Sequence, residues 1–141
     1  MNDPVMEVFG KTLEKTHIWL LDLMRELDWE DEHKAYTALR SVLHALRDRL
    51  SVAEAAHLAA QLPMLVRGCY YEGWNPSGKP VKERHKEEFL AHIKSAFRNS
   101  EGIDAEKVAR AVFRVLAKHI SDGEIDDAKN ILPEDLRRLW S

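Results

Sequence analysis

The chain has 141 residues, 45% hydrophobic and 32% charged, which is the composition of one globular domain and excludes disordered or collagen-like classes. The formal net charge of −3 gives no general attraction to phosphate, so nucleic acid is not an expected partner. A single cysteine, Cys69, forms no internal disulfide and no apolar run is long enough to span a bilayer, so we expect a soluble cytoplasmic protein that does not enter the membrane.

The first predicted helix covers residues 4–28. Asp3 is placed to cap its N-terminus, and Pro4 suits the first helical position. Gly10 weakens this helix by about 1 kcal/mol. Six apolar side chains recur on a roughly continuous face, namely Val5, Phe9, Leu13, Leu20, Leu23 and Leu27.

Seven further helices are predicted near residues 32–50, 52–61, 63–73, 83–98, 104–119, 122–131 and 133–140. The third and seventh begin at a serine that is followed three residues later by a glutamate, Ser51 with Glu54 and Ser121 with Glu124. This spacing predicts two capping boxes, in which the serine hydroxyl accepts an early backbone N–H and the glutamate accepts the serine N–H. A proline opens the fourth and eighth helices, where its fixed φ is tolerated.

The chain repeats itself at a distance of seventy residues. Ten identities carry the register: Leu20 with Leu90, Ala35 with Ala105, Arg40 with Arg110, Val42 with Val112, Leu46 with Leu116, Ser51 with Ser121, Glu54 with Glu124, Leu62 with Leu132, Pro63 with Pro133 and Arg67 with Arg137. Apolar character is kept at six further pairs: Trp19 with Phe89, Leu23 with Ile93, Leu27 with Phe97, Leu43 with Phe113, Leu50 with Ile120 and Tyr70 with Trp140. The core pattern therefore carries the repeat.

These patterns predict an all-α protein made of two tandem four-helix units. The units cover about 4–73 and 83–140, and a loop rich in Gly, Pro and Asn joins them at about 74–82. Each unit alone is marginal in size, so we expect the two to pack around a pseudo-two-fold axis as a single helical bundle domain, 1–141.

Five segments closely resemble a known bacterial family. They read AYTALRSVLHALRDRL at 35–50, AAQLPMLVRG at 59–68, YYEGW at 70–74, SDGEI at 121–125 and LPEDLR at 132–137. The family is the one known as domain of unknown function 2267. The resemblance implies an all-helical duplicated domain, and it supplies no established activity, substrate or catalytic residue.

A metal site is one interpretation of Glu54 and His57. The Glu-x-x-His spacing places a carboxylate and an imidazole on one helix face, and the repeat maps the pair onto Glu124 and Asp127. If the pseudo-two-fold axis brings the third and seventh helices together, four ligands converge. The capping boxes already account for both glutamates, however, so the sequence predicts no cofactor, and the metal site is the weaker alternative.

Anion binding is a second interpretation, because Arg40, His44 and Arg47 form a basic stripe on the second helix. Guanidinium groups there suit a phosphate or carboxylate. The competing interpretation is structural, with these side chains pairing with carboxylates or covering apolar neighbours. The recurrence of Arg40 as Arg110 favours the structural role.

The preferred functional hypothesis is a non-enzymatic protein-interaction module, with self-association included. Tyr71 and Trp74 have no repeat mate and lie beside the only substantial loop, and Arg67 is close to them in sequence. Aromatic and arginine side chains are enriched in protein interfaces. These three residues are therefore the predicted partner-binding surface, and a small-anion-binding or metal-binding helical protein is the alternative.

Overall fold

The structure, a computed structural model, describes residues 3–82, 85–98, 100 and 102–140. This part of the chain contains α-helices and no strand, which confirms the all-α prediction. The helices are α1 (Pro4–Leu27), α2 (Glu32–Arg47), α3 (Val52–Ala59), α4 (Met64–Tyr71), α5 (Lys86–Ser95), α6 (Ala105–His119), α7 (Asp122–Ile131) and α8 (Glu134–Arg137), followed by a 3₁₀ turn at Arg138–Trp140. Within the described residues, no helix has the length and apolar character needed to cross a membrane.

Several helices are shorter than their apolar patterns predict. The second helix ends at Arg47 and not at residue 50, because the N–H groups of Arg49 and Leu50 bond carbonyls three residues back, those of Leu46 and Arg47. Leu50 stays fully buried in this tighter turn, so periodicity alone extends the helix too far. The predicted start of the fifth helix, residue 83, lies outside the described residues, and the described helix begins at Lys86.

The serine caps of α3 and α7 form, but the predicted reciprocal bond from the serine N–H to the glutamate is found in neither helix among the described residues. Ser51 Oγ accepts the Glu54 N–H at 3.1 Å and Ser121 Oγ accepts the Glu124 N–H at 3.3 Å. The Ser121 N–H donates instead to Gln61 Oε1 at 2.9 Å. This exchange is possible because α3 packs against α7, which places the end of one beside the start of the other.

The core is built from repeat-related positions. The repeat-related helices α2 and α6 pack against each other, and α1 and α5 flank them. Both members of five apolar pairs are buried: Trp19 with Phe89, Leu23 with Ile93, Leu27 with Phe97, Leu43 with Phe113 and Leu50 with Ile120. This matched burial is compatible with the duplicated bundle that the sequence predicts.

Candidate functional site

The N-terminal half of α1 carries an apolar stripe that the rest of the described chain leaves uncovered. The stripe is continuous at helical spacing, and its C-terminal members Leu20, Leu23 and Leu27 are buried in the core. Its N-terminal members are 48–64% exposed, and we call them the first-helix face: Val5, Met6, Phe9 and Leu13. A 24-residue helix therefore buries only half of its apolar side.

The first-helix face continues onto α4. The Leu65 N–H donates to Thr12 Oγ1 at 3.0 Å, which fixes the first turn of α4 beside α1. Met64 and Leu65 in that turn are themselves exposed. Next to them, a groove of about 360 Å³ lies between α1, α2 and α4, and its lining includes Leu20, Tyr36, Leu39, Val66 and Cys69. The face and the groove thus form one apolar surface.

Gly10 lies at the edge of the first-helix face. A Cβ atom built there would meet no heavy atom within 4 Å, and its backbone is helical without positive φ. Glycine costs a helix interior about 1 kcal/mol relative to alanine. Contacts inside the described chain therefore give no reason for glycine at this position.

Charged side chains occupy the opposite side of the same helical segment. Glu7, Lys11, Glu14 and Lys15 are all exposed, two acidic and two basic. Their charges balance, so this segment does not repel a partner of either sign.

A partly buried carboxylate cluster lies where α3 meets α7. One carboxylate oxygen from each of Glu54, Glu124 and Asp127 lies within 4.8 Å of the others. His57 Nδ1 is 3.7 Å from Glu54 Oε2. The structure therefore brings Glu54, Glu124 and Asp127 together. His57, the fourth residue of the metal hypothesis, lies beside Glu54 at the edge of the cluster.

Burial and neighbouring negative charge make ionisation of this cluster unfavourable. Burial, together with the hydrogen bond and negative charge of Glu54, raises the pKa of Glu124 to about 8. Glu54 is 8% exposed, and its Oε1 is buried without a hydrogen-bond partner. Asp127 is exposed, so the cluster opens to solvent on one side.

The basic stripe of α2 holds the end of α4. Arg47 Nη1 donates to Tyr70 O and Glu72 O, both at 2.6 Å, and His44 Nε2 donates to Cys69 O at 2.6 Å. Arg40 pairs with the Glu72 carboxylate. Burial lowers the pKa of His44, although its bond to the carbonyl opposes the shift. An anion at this stripe would have to displace Glu72 from Arg40.

The predicted partner-binding residues pack within the chain. Tyr71 and Trp74 are half-buried against the core, and their ring centroids are 5.4 Å apart. Arg67 donates from Nε to Ala59 O and from Nη2 to Leu62 O, each at 3.0 Å. All three residues therefore make contacts within the chain, although Trp74 Nε1 is buried without a hydrogen-bond partner among the described residues.

One buried polar network could not be predicted from the sequence. Asp22 of α1 is buried, and its carboxylate accepts from His119 Nε2 at 2.7 Å and from Lys118 Nζ at 3.1 Å. Burial opposes ionisation, but these two hydrogen bonds outweigh it and hold the pKa of Asp22 below its usual value. The partners are 97 residues apart in sequence, so no spacing motif predicts the network.

Comparison with protein families gives one match. The model described as "Uncharacterized conserved protein (DUF2267)" matches residues 16–139. The matched part contains both helices of the carboxylate cluster and the buried half of α1, and it leaves the first-helix face outside. No curated protein matches the chain.

Proposed function

The chain belongs to the family of uncharacterized conserved proteins DUF2267, and we propose that it is a protein-interaction module that self-associates through the first-helix face. The observation that supports this is the exposure of Val5, Phe9 and Leu13 on a stripe whose other half is core. Exposed apolar patches rimmed by charge typically mark interaction surfaces. We place the module in the cytoplasm, where a lone thiol such as Cys69 stays reduced.

A second copy of the chain is the partner that this surface suits. In a two-fold dimer the same patch meets itself, so an apolar stripe packs on an apolar stripe. The balanced charges of the opposite side do not oppose such pairing. Gly10 at the edge of the face lets a neighbouring backbone approach closely, which supplies the missing reason for glycine in this helix.

The size of the face predicts a weak dimer. The exposed half of α1 is about 20 Å long, since a helix rises 1.5 Å per residue. Two such segments bury on the order of 1,000 Å², the low end of stable protein interfaces. We therefore expect concentration-dependent association. The face lies outside the family match, so this proposal concerns this chain and not every member of the family.

Co-purification of two differently tagged copies tests the proposal. Wild-type copies should retain each other, and the double substitution Phe9→Glu with Leu13→Glu should abolish retention by placing charge on the apolar stripe. Ile18→Glu is the matched control, because Ile18 is an exposed apolar residue on the opposite side of α1. Equal retention of the wild type and the double variant would contradict the proposal, as would equal loss in the control.

A further inference from the structure

The carboxylate cluster between α3 and α7 contains a buried oxygen that has no hydrogen-bond partner among the described residues. Glu54 and Glu124 are 8% and 6% exposed, and each occupies the third position of its helix. Glu54 Oε1 has no hydrogen-bond partner among the described residues, and one carboxylate oxygen of Glu54 lies within 4.8 Å of oxygens of Glu124 and Asp127. A buried carboxylate oxygen without a donor destabilises the folded chain, so a cation bound to this atom would be stabilising.

The geometry of the cluster is close to that of a metal coordination shell. Ligand oxygens bound to one ion at about 2.1 Å lie at most about 4.2 Å apart. The oxygens of Glu54, Glu124 and Asp127 already lie within 4.8 Å of one another. A cation would therefore draw the three side chains inward by only a small distance, and the exposed side at Asp127 gives it access.

We propose that Glu54, Glu124 and Asp127 bind a first-row divalent cation such as Mn²⁺ or Zn²⁺, which bridges α3 and α7. The cation supplies positive charge to the buried oxygens of Glu54 and Glu124, including the Glu54 oxygen that has no hydrogen-bond partner among the described residues. Because α3 and α7 belong to the two repeat-related parts of the sequence, the ion ties those parts together.

His57 selects the class of metal. It lies three residues after Glu54, the same spacing that separates Asp127 from Glu124, and its side chain is 69% exposed and free to turn. A rotation about its side-chain bonds brings the imidazole nitrogen to the ion as a fourth ligand. Imidazole suits Zn²⁺ better than Mg²⁺ or Ca²⁺, whose ligands are oxygens, whereas the three carboxylates alone suit Mn²⁺.

Titration of the full chain, tag-free and stripped with a chelator, tests the site. Loss of the free Mn²⁺ electron paramagnetic resonance signal and calorimetry with Zn²⁺ should each show one site per chain. Glu54→Gln, Glu124→Gln and Asp127→Asn should each weaken binding at least about tenfold. His57→Ala should weaken Zn²⁺ binding and leave any Ca²⁺ binding unchanged.

Asp126→Asn is the matched control, because Asp126 is the exposed neighbour of Asp127 on α7 and lies outside the cluster. The amide substitutions keep side-chain shape, and circular dichroism checks the fold; if a glutamine variant unfolds, exposed Asp127→Asn still decides the question. Absence of saturable binding, or equal weakening by Asp126→Asn, would overturn the proposal. The Phe9 and Leu13 variants should bind Mn²⁺ as the wild type does, so the metal-site proposal and the self-association proposal are tested independently.

Discussion

Arg67 and Arg137 lie seventy positions apart and make the same pair of hydrogen bonds. Arg67 donates to Ala59 O and Leu62 O, and Arg137 donates to Lys129 O and Leu132 O, all at 3.0–3.1 Å. Each guanidinium thus closes the C-terminal end of the preceding helix, α3 or α7, where carbonyl groups lack helical partners. The two repeats therefore share specific hydrogen bonds as well as the pattern of apolar residues.

Replacing either arginine by lysine should destabilise the fold to a similar extent. Lysine keeps the charge but cannot present the planar fork that reaches two carbonyls, so each variant should lose about 1–2 kcal/mol of unfolding free energy. Urea denaturation measures the loss. Arg67→Lys should leave copy-to-copy retention unchanged, and a loss of retention at full stability would return Arg67 to the partner-binding role that the sequence suggested.

Asp22→Asn should destabilise the protein at neutral pH by about 1–3 kcal/mol, because His119 and Lys118 lose a charged acceptor. The pKa of Asp22 is lowered in the folded state, so its contribution is present above the unfolded value near 3.9 and is lost as pH falls through the folded value. The difference between wild type and variant should therefore shrink below about pH 4. A difference that stays constant from pH 7 to about pH 3 would exclude a role for the ionised carboxylate.

His44 should make the wild type less stable as pH falls below about 6.5. Burial lowers its folded pKa, so the unfolded chain binds a proton first, and the contribution of the neutral imidazole is lost below the unfolded value. His44→Gln keeps a donor for Cys69 O and removes the titration. Unfolding free energies at about pH 7.5 and pH 5.5 should differ less in this variant. An identical pH dependence would show that other histidines carry it.

Gly10→Ala should separate helix stability from association. Alanine raises helix propensity by up to about 1 kcal/mol, and its methyl group meets nothing within the described chain. We therefore expect a higher unfolding temperature in dilute solution together with weaker association at high concentration. Calorimetry and light scattering measure the two effects, and an increase in both would contradict a close approach of helices at Gly10.

Much of the fold was predictable because it depends on local and periodic signals. The caps at Asp3, Ser51 and Ser121 form as the side-chain chemistry indicates. Tertiary contacts decided the rest. The Ser121 N–H donates to Gln61 of the opposing part and not to Glu124, and only the packed structure contains that contact.

The sites were predictable to different degrees. The repeat raised the meeting of Glu54 and Glu124 only as a consequence of packing between the third and seventh helices, and in the structure one oxygen of each lies within 4.8 Å of the other. Periodicity identified the apolar face of α1, but it carries no information on whether the same chain covers that face. The sequence therefore directed the interaction hypothesis to Tyr71 and Trp74, whereas the exposed apolar surface lies at Phe9 and Leu13.

Sedimentation velocity over a range of protein concentrations tests the central claim most directly. The wild type should shift from the sedimentation coefficient of a monomer toward that of a dimer as concentration rises, and Ile18→Glu should follow the same curve. Phe9→Glu with Leu13→Glu should stay monomeric throughout, with unchanged helical content. A wild type that remains monomeric at the highest concentration, or a double variant that dimerises equally well, would contradict self-association through the first-helix face.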